Sequence, residues 1–269
     1  MPWLTYRGTV AFATYRDLWL EAGDPEPVAA FWAGALGLEL EATRAGGYVL
    51  TGPSPSPGPG ADPGPVQTVH VVPSAPGALT GFRMHVEVHA SKLQELSRLG
   101  ACAPDDGEDA AWLELAGPEG GDVRCFATSD PLDGRRYELV LAAGQPARAA
   151  RWWARVLGAL HESAAGGDYA WVSQIPGAPF DTLLFTRELP APRPQRARMR
   201  LTTTDMPGLI RYGAAMVAAG RHTARYPDER LPTHVMRCAE GIEFVVVDAS
   251  GSPETARTSR PARPGIGPR

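Results

Sequence analysis

AFWAGALGLE at residues 30–39 and RWWARVLGAL at residues 151–160 are the stretches on which the fold is decided. In each, a pair of bulky aromatics is followed by glycine, five residues after the second ring. Phe31–Trp32 and Trp152–Trp153 lie 121 residues apart, and Gly37 and Gly158 keep that offset. The correspondence spreads outward. Asp24-Pro25-Glu26 answers to Gln145-Pro146-Ala147, and Gly46-Gly47-Tyr48 nearly keeps step with Gly166-Gly167-Asp168-Tyr169. Leu99-Gly100 answers to Ala219-Gly220, and Glu119-Gly120 to Glu240-Gly241. A period this long is a duplicated domain rather than a solenoid repeat.

Each copy orders its elements alike. RDLWLEA (16–22) alternates as a strand does. Asp24 then stands as an N-cap with Pro25 in the first helical position. The predicted helix runs to about Leu36, with Val28, Phe31, Trp32 and Ala35 on one face. Gly37 closes it as a left-handed cap. Strands are expected at LELEA, GYVLTG, VQTVHVV, FRMHVEVHA (82–90), AAWLEL (110–115) and DVRCFA (122–127), with a short helix around Ser91–Leu99. The second copy predicts strands at YELVLAA, YAWVSQIP, DTLLFTREL, RMRLTTT, HVMRCA and EFVVVD. Its helices are expected at about Pro146–Leu157 and near Pro207–Ala219. The boundaries that follow are 1–130 for the first domain and 131–248 for the second. The Pro/Gly tract at 53–65 reads as a flexible loop, and the tail 249–269 as disordered, having nothing to bury.

Composition narrows the function classes. Hydrophobic residues make up 43%, charged residues 21%, and the net charge is −4. That is a soluble globular profile with no electrostatic footprint for nucleic acid. No apolar run approaches the roughly 20 residues that span a bilayer. The N-terminus lacks a basic region followed by an apolar core, so no secretory signal is read. Cys102, Cys125 and Cys238 are an odd, widely spaced set without a C-x-x-C, which fits a reducing cytoplasm. The abundance of Gly, Pro, Ala and Arg has the look of a high-GC bacterial gene.

The pattern D-P-E-x-x-A-A-F-W-x-x-x-L-G, then GG-Y-V-L, R-M-H-V-E-V and W-L-E-L-x-x-P-E-G-G, resembles the glyoxalase-like members of the vicinal oxygen chelate superfamily. Glyoxalase I, bleomycin-resistance proteins and extradiol dioxygenases belong to that group. The resemblance covers about 14–128 and again about 135–248. It implies an α+β fold of two tandem glyoxalase-like domains. Each would be made of paired βαβββ modules forming a half-open barrel, with helices outside and ligand on the concave face. Fold alone does not fix chemistry.

In metal-dependent relatives, the resemblance places ligands near the start of the first strand, late in the first half, on the strand opening the second half, and on the last strand. Carried over, these positions are Asp17, His70, His85 and Arg124 in the first copy. In the second they are Glu138, Thr186, Arg200 and Val245. Two readings of the first copy follow. One is a divalent metal held by Asp17, His70 and His85. The other, which is favoured, has no metal and pairs Asp17 with Arg124, whose guanidinium repels a dication. In the second copy, Glu138 and Arg200 are expected to pair in place of a metal.

Two-residue steps put Glu87 and His89 on the strand face of His85, and Trp19 and Glu21 on that of Asp17. His85, Glu87 and His89 are therefore the candidate catalytic residues, a histidine with a carboxylate neighbour being suited to acid/base work. Asp17, Trp19, Glu21, Trp112, Glu114, Asp122 and Arg124 are candidate ligand-lining residues of the same copy. Trp32, Trp152 and Trp153 recur at helical core spacing and read as packing. No activated thiol, serine elbow or phosphate loop stands in the context such motifs need.

The expectation is a cytoplasmic protein binding a small organic molecule, with no cofactor, no nucleic acid and no membrane. Cofactor-free lyase or isomerase chemistry would sit in the first copy. The alternatives are a metal-dependent lyase or dioxygenase and a non-catalytic antibiotic- or metabolite-sequestering protein. A homodimer is compatible with each.

Overall fold

The computed structural model describes residues 11–53, 66–75, 79–89, 101–102, 112–115, 117–128, 137–187, 196–219 and 231–250. At 79–89, 101–102, 112–115, 120–122, 126–128, 137 and 219 the description is of the backbone. The helix expected around Ser91–Leu99, most of the Pro/Gly tract and the tail beyond 250 lie outside these residues.

The first copy supplies β1 (Ala13–Ala22), α1 (Pro25–Leu36), β2 (Glu39–Ala42), β3 (Tyr48–Pro53) and β4 (Val66–Pro73), then β5 (Leu79–His89), β6 (Ala101–Cys102), β7 (Trp112–Leu115) and β8 (Gly120–Thr128). The second supplies β9 (Tyr137–Ala142), α2 (Pro146–Leu157), β10 (Leu160–Ser163), β11 (Tyr169–Ser173) and β12 (Thr182–Thr186), then β13 (Ala197–Thr203), α3 (Met206–Arg211), β14 (Ala215–Ala219), β15 (Thr233–Arg237) and β16 (Glu243–Asp248). Both aromatic helices end where expected, at Gly37 (φ 69°) and Gly158 (φ 68°). The helix expected near Pro207–Ala219 is shorter. It stops at Arg211, Gly213 takes φ 98°, and Ala215–Ala219 becomes an edge strand on β15. Alanine, methionine and valine there follow the sheet rather than their helix propensity, because tertiary pairing overrides a weak local preference.

The strands form two open eight-stranded sheets. The first runs β14-β15-β16-β13-β1-β4-β3-β2, and the second β10-β11-β12-β9-β5-β8-β7-β6. Each sheet therefore takes one half from each sequence copy. β1 pairs antiparallel with β13 and parallel with β4, and β9 likewise pairs antiparallel with β5 and parallel with β12. Sequence repeat and sheet membership divide the chain differently.

One hydrophobic cluster joins the helices to both sheets. Leu18, Leu20 and Ala22 of β1 share it with Val28, Trp32 and Leu36 of α1, with Leu139 and Leu141 of β9, and with Trp153 and Val156 of α2. Within each copy the exchanged halves remain tied through their equivalent turns. Glu119 accepts the backbone N–H groups of Gly23 (2.9 Å) and Asp24 (2.7 Å) just ahead of α1. Its counterpart Glu240 pairs with Arg148 in the first turn of α2 at 2.9 Å. Asp24 does occupy the N-cap position, yet its side chain makes no capping bond. No helix among the described residues is long and apolar enough to cross a membrane.

Gly158 carries a testable consequence. A Cβ there would lie 3.0 Å from Ala11 Cβ, on a backbone already left-handed. Gly158→Ala is expected to cost about 1–2 kcal/mol, from the steric penalty of an L side chain in that region. A urea melt against wild type measures it.

Candidate functional site

On β1 the side chains alternate between two environments. Leu18 and Leu20 enter the shared core, whereas Trp19 packs with Val235, Val245, Val72 and Ala218 on the face away from the helices. Asp17 and Glu21 share that second face by the two-residue period. Strand register then sets what they meet. Asp17 lies opposite Arg200, Trp19 opposite Arg198 on one side and His70 on the other, and Arg200 opposite Val245.

The centre of this face is a buried ion pair. Arg200 donates from Nε to Asp17 Oδ1 at 2.7 Å and from Nη2 to Oδ2 at 2.5 Å, a two-pronged fork. The side chains are only 6% and 4% exposed. Arg200 Nη2 also lies 3.3 Å from His70 Nε2, and Arg16 Nε lies 3.7 Å from Asp17 Oδ2. Trp19 closes the cluster. His70 stacks on it at 4.8 Å and 19°, and the Arg200 guanidinium sits 4.9 Å over its ring. Burial alone would raise the Asp17 carboxyl. His70 beside it and the bonded, charged guanidinium outweigh that and hold it below the ordinary carboxylate range.

Beside this pair runs a second network. Arg198 donates to Glu21 Oε1 at 2.6 Å and to Glu243 Oε2 at 2.9 and 3.2 Å. Arg237 reaches Glu243 Oε1 at 2.6 Å, and Ser74 reaches Glu21 Oε2 at 3.3 Å. Burial pushes Glu243 up, but Arg237 and Arg198 outweigh it and lower it. Arg198, Arg237 and Glu243 were not among the sequence candidates. The two-residue step from Arg200 to Arg198 was the available signal.

These depressed carboxyls set the acid behaviour. Their ionised forms stabilise the fold above the unfolded carboxylate range near pH 4, and that stability is lost as pH falls through the lower folded values. Thermal melts from pH 7 to 2 are therefore expected to hold roughly level to about pH 5 and to fall steeply below about pH 4. Asp17→Asn should begin lower at neutral pH and show a shallower acid limb.

The remaining candidates lie elsewhere. His85, Glu87 and His89 are on β5, Trp112 and Glu114 on β7, and Asp122 and Arg124 on β8, all in the second sheet. Position 85 pairs in register with Arg124 on one side and Glu138 on the other. The side chains of these β5 and β7 residues lie outside the description. Asp17, His70 and His85 therefore do not come from one sheet, and the guanidinium on Asp17 belongs to Arg200, not Arg124. Arg200 in turn pairs with Asp17 rather than Glu138. The cause is the exchange of halves between copies. The register counterpart of His70 is Leu184, opposite Val140, and not Thr186.

The two described thiols are poor nucleophiles. Burial pushes Cys125 up to about 11 and raises Cys238.

Two tandem units of this topology bear on the chain's family. The glyoxalase-like domain matches residues 17–126 and again 138–247. The chain belongs to the glyoxalase-like domain family. Among solved structures, glyoxalase I from Zea mays is similar at 12% identity, over 91% of this chain and 96% of that one, with a TM-score of 0.55. A mutant of the same maize enzyme gives 11% identity, 88% and 92% coverage, and a TM-score of 0.56. A 2,2',3-trihydroxybiphenyl 1,2-dioxygenase from Sphingomonas wittichii strain RW1 matches at 14% identity over 88% and 91%, with a TM-score of 0.31. At such identities the maize likeness speaks to the fold alone. No curated protein matches the sequence.

The glyoxalase-like fold raises the question of a metal, and the donors of the first sheet bear on it. Of the positions at which the resemblance leads one to expect ligands, this sheet brings together Asp17, His70, Arg200 and Val245. Both Asp17 oxygens are taken by a cation that cannot be deprotonated. Among the described residues no three His, Cys, Asp or Glu side chains converge as a metal-binding group. These residues do not fit a dication.

Proposed function

We propose that this glyoxalase-like protein binds a small organic molecule on the helix-free face of its first sheet, without a metal there. The Arg200–Asp17 fork carries the reading, because it puts a fixed positive charge where metal-dependent relatives are expected to gather ligands. The face is polar, yet its charges are matched: Arg200 by Asp17, and Arg198 by Glu21 and Glu243. Such a floor orients a ligand through dipoles rather than through a free ion. Elemental analysis after dialysis against zinc tests the metal-free part. Substoichiometric zinc is expected, and one zinc per chain that disappears in His70→Ala would overturn it. Ligand binding is tested by screening small organic compounds for tryptophan quenching that Trp19→Phe abolishes.

A second reading assigns cofactor-free acid/base chemistry to the second sheet, where position 85 pairs with Arg124 and Glu138. An acid and a base in register with a histidine position are residue types that proton transfer uses. Its test is His85→Gln, which would abolish turnover of any substrate found while leaving first-sheet binding intact.

A further inference from the structure

Alternation divides β11 as it divides β1. Ala170 and Val172 enter the shared core with Trp153 of α2, so Trp171 stands on the helix-free face of the second sheet. Register sets its neighbours there. Leu184 lies opposite Trp171 on β12 and Glu162 opposite it on β10, with Val140 beyond Leu184 on β9. Leu184 packs on Val140 and Ala142. Leu160, 38% exposed, lies two residues before Glu162 on the same strand face. An apolar row thus crosses the outer half of this sheet, from Leu160 past Trp171 and Leu184 to Val140.

The two sheets use their tryptophans differently. Trp19 is buried, with His70 stacked on it and the Arg200 guanidinium over its ring. Trp171 is half-buried, and among the described residues its indole has no stacked ring, cation or hydrogen-bond partner. Glu162 beside it is exposed and likewise has no ion-pair partner among them. Cross-strand Cβ atoms lie about 5 Å apart, so the carboxylate reaches what is seated on the indole. Charge on this half of the face has one sign. Its strands, β9 to β12, place Glu138 and Glu162 on it and no arginine or histidine. Arg187, just past β12, is held by Asp168 and the Gly144 carbonyl, and the basic positions Arg83 and His85 belong to β5 on the far side of β9.

We propose that the outer half of the second sheet binds an organic cation, an ammonium or amidinium group carried on a flat apolar body. The body lies on Trp171 and Leu184, and the charge turns toward Glu162. Indole is the aromatic ring that attracts cations best, and Glu162 adds a full negative charge beside it. A neutral molecule of the same shape gains only the apolar contact, and an anion meets two carboxylates. The site lies on the other sheet from the one proposed above to bind a small organic molecule without metal, and it stands or falls without that reading.

Benzamidine, benzamide and benzoate share one shape and carry a positive, no and a negative charge at neutral pH. Proton–nitrogen spectra of the full chain show the indole N–H groups of its seven tryptophans, and Trp171→Phe and Trp19→Phe identify the two that matter. Benzamidine is expected to move the Trp171 signal and to leave that of Trp19 in place. It should bind at least about tenfold more tightly than benzamide, a factor in keeping with one opposite charge a few ångströms away in a partly aqueous site. Benzoate should bind most weakly. Glu162→Gln changes an exposed side chain and should remove most of the preference for benzamidine while the rest of the spectrum stays as in wild type. No movement of Trp171, equal binding of benzamide, or a preference that survives Glu162→Gln would overturn the proposal. The zinc measurement on the first sheet is untouched by any of these outcomes, so the two readings fail separately.

Discussion

Arg200→Met is expected to cost about 3–5 kcal/mol of stability at pH 7, among the larger losses any single substitution in this chain would give. The reason is the partner left behind. Asp17 is 4% exposed and loses both bonds of the fork at once. Its carboxylate must then remain charged and unpaired or take up a proton. Arg16, at 3.7 Å and on the rim, cannot replace a bidentate guanidinium. Trp19 loses the cation over its ring, and His70 loses its 3.3 Å neighbour at Nε2. Asp17→Leu should cost a similar amount by burying the opposite charge. The double variant Asp17→Leu/Arg200→Met should recover most of the loss, because apolar residues of similar volume often replace a buried pair at little cost. Urea melts of the four proteins close the cycle. If the double variant merely adds the two single losses, the pair is not coupled and this account of the site fails.

The exchange of halves explains what the sequence made legible and what it did not. AFWAGALGLE and RWWARVLGAL announce two helices, their glycine caps and the duplication, because each of those features is local. Alternation along β1 likewise separates Leu18 and Leu20 from Asp17, Trp19 and Glu21. Periodicity cannot say which strand lies alongside. Asp17 and its partner Arg200 are 183 residues apart. The strands opening the four modules all present the same kind of half-polar pattern, so nothing local distinguishes β13 from β5 as the neighbour of β1. Charge offers a partial clue. The four equivalent positions hold Asp17, His85, Glu138 and Arg200, and the lone arginine must meet one of two acids. Sequence reasoning chose Glu138 by keeping Arg200 in its own copy, and the register puts Glu138 opposite His85 instead. The idea of an ion pair at a ligand position was sound in kind, but its partners depended on topology. Leu184 in place of Thr186 has a different origin. The tract at 53–65 shifts the count along the first copy, and only strand pairing recovers the correspondence.

Trp153→Ala is the second large effect, expected at about 3–5 kcal/mol by the cost of truncating a buried aromatic. Trp153 is fully buried, and its ring meets Trp152 edge-on at 5.1 Å and Phe244 at 5.2 Å. The position of Phe244 makes this contact more than local packing. It belongs to β16 in the first sheet, whereas α2 lies against β10, β11 and β12 of the second. Trp152 of the same helix gives its Nε1–H to Tyr212 O at 3.0 Å, and Val156 O accepts from Phe12 just ahead of β1. The helix thus ties the two sheets together, and Trp153 is a fully buried ring of that tie. Removing the ring should loosen the sheets from each other as well as open a cavity. Denaturant unfolding of the variant is therefore expected to lose its single sharp transition, with a smaller apparent m-value than wild type, as cooperativity between the sheets fails. Trp152→Phe is the control. It gives up one hydrogen bond worth about 1 kcal/mol and keeps most of the ring contact, so its transition should stay single. If Trp153→Ala unfolds in one step with an unchanged m-value, the sheets are held together by the Glu119 and Glu240 turns rather than by this helix.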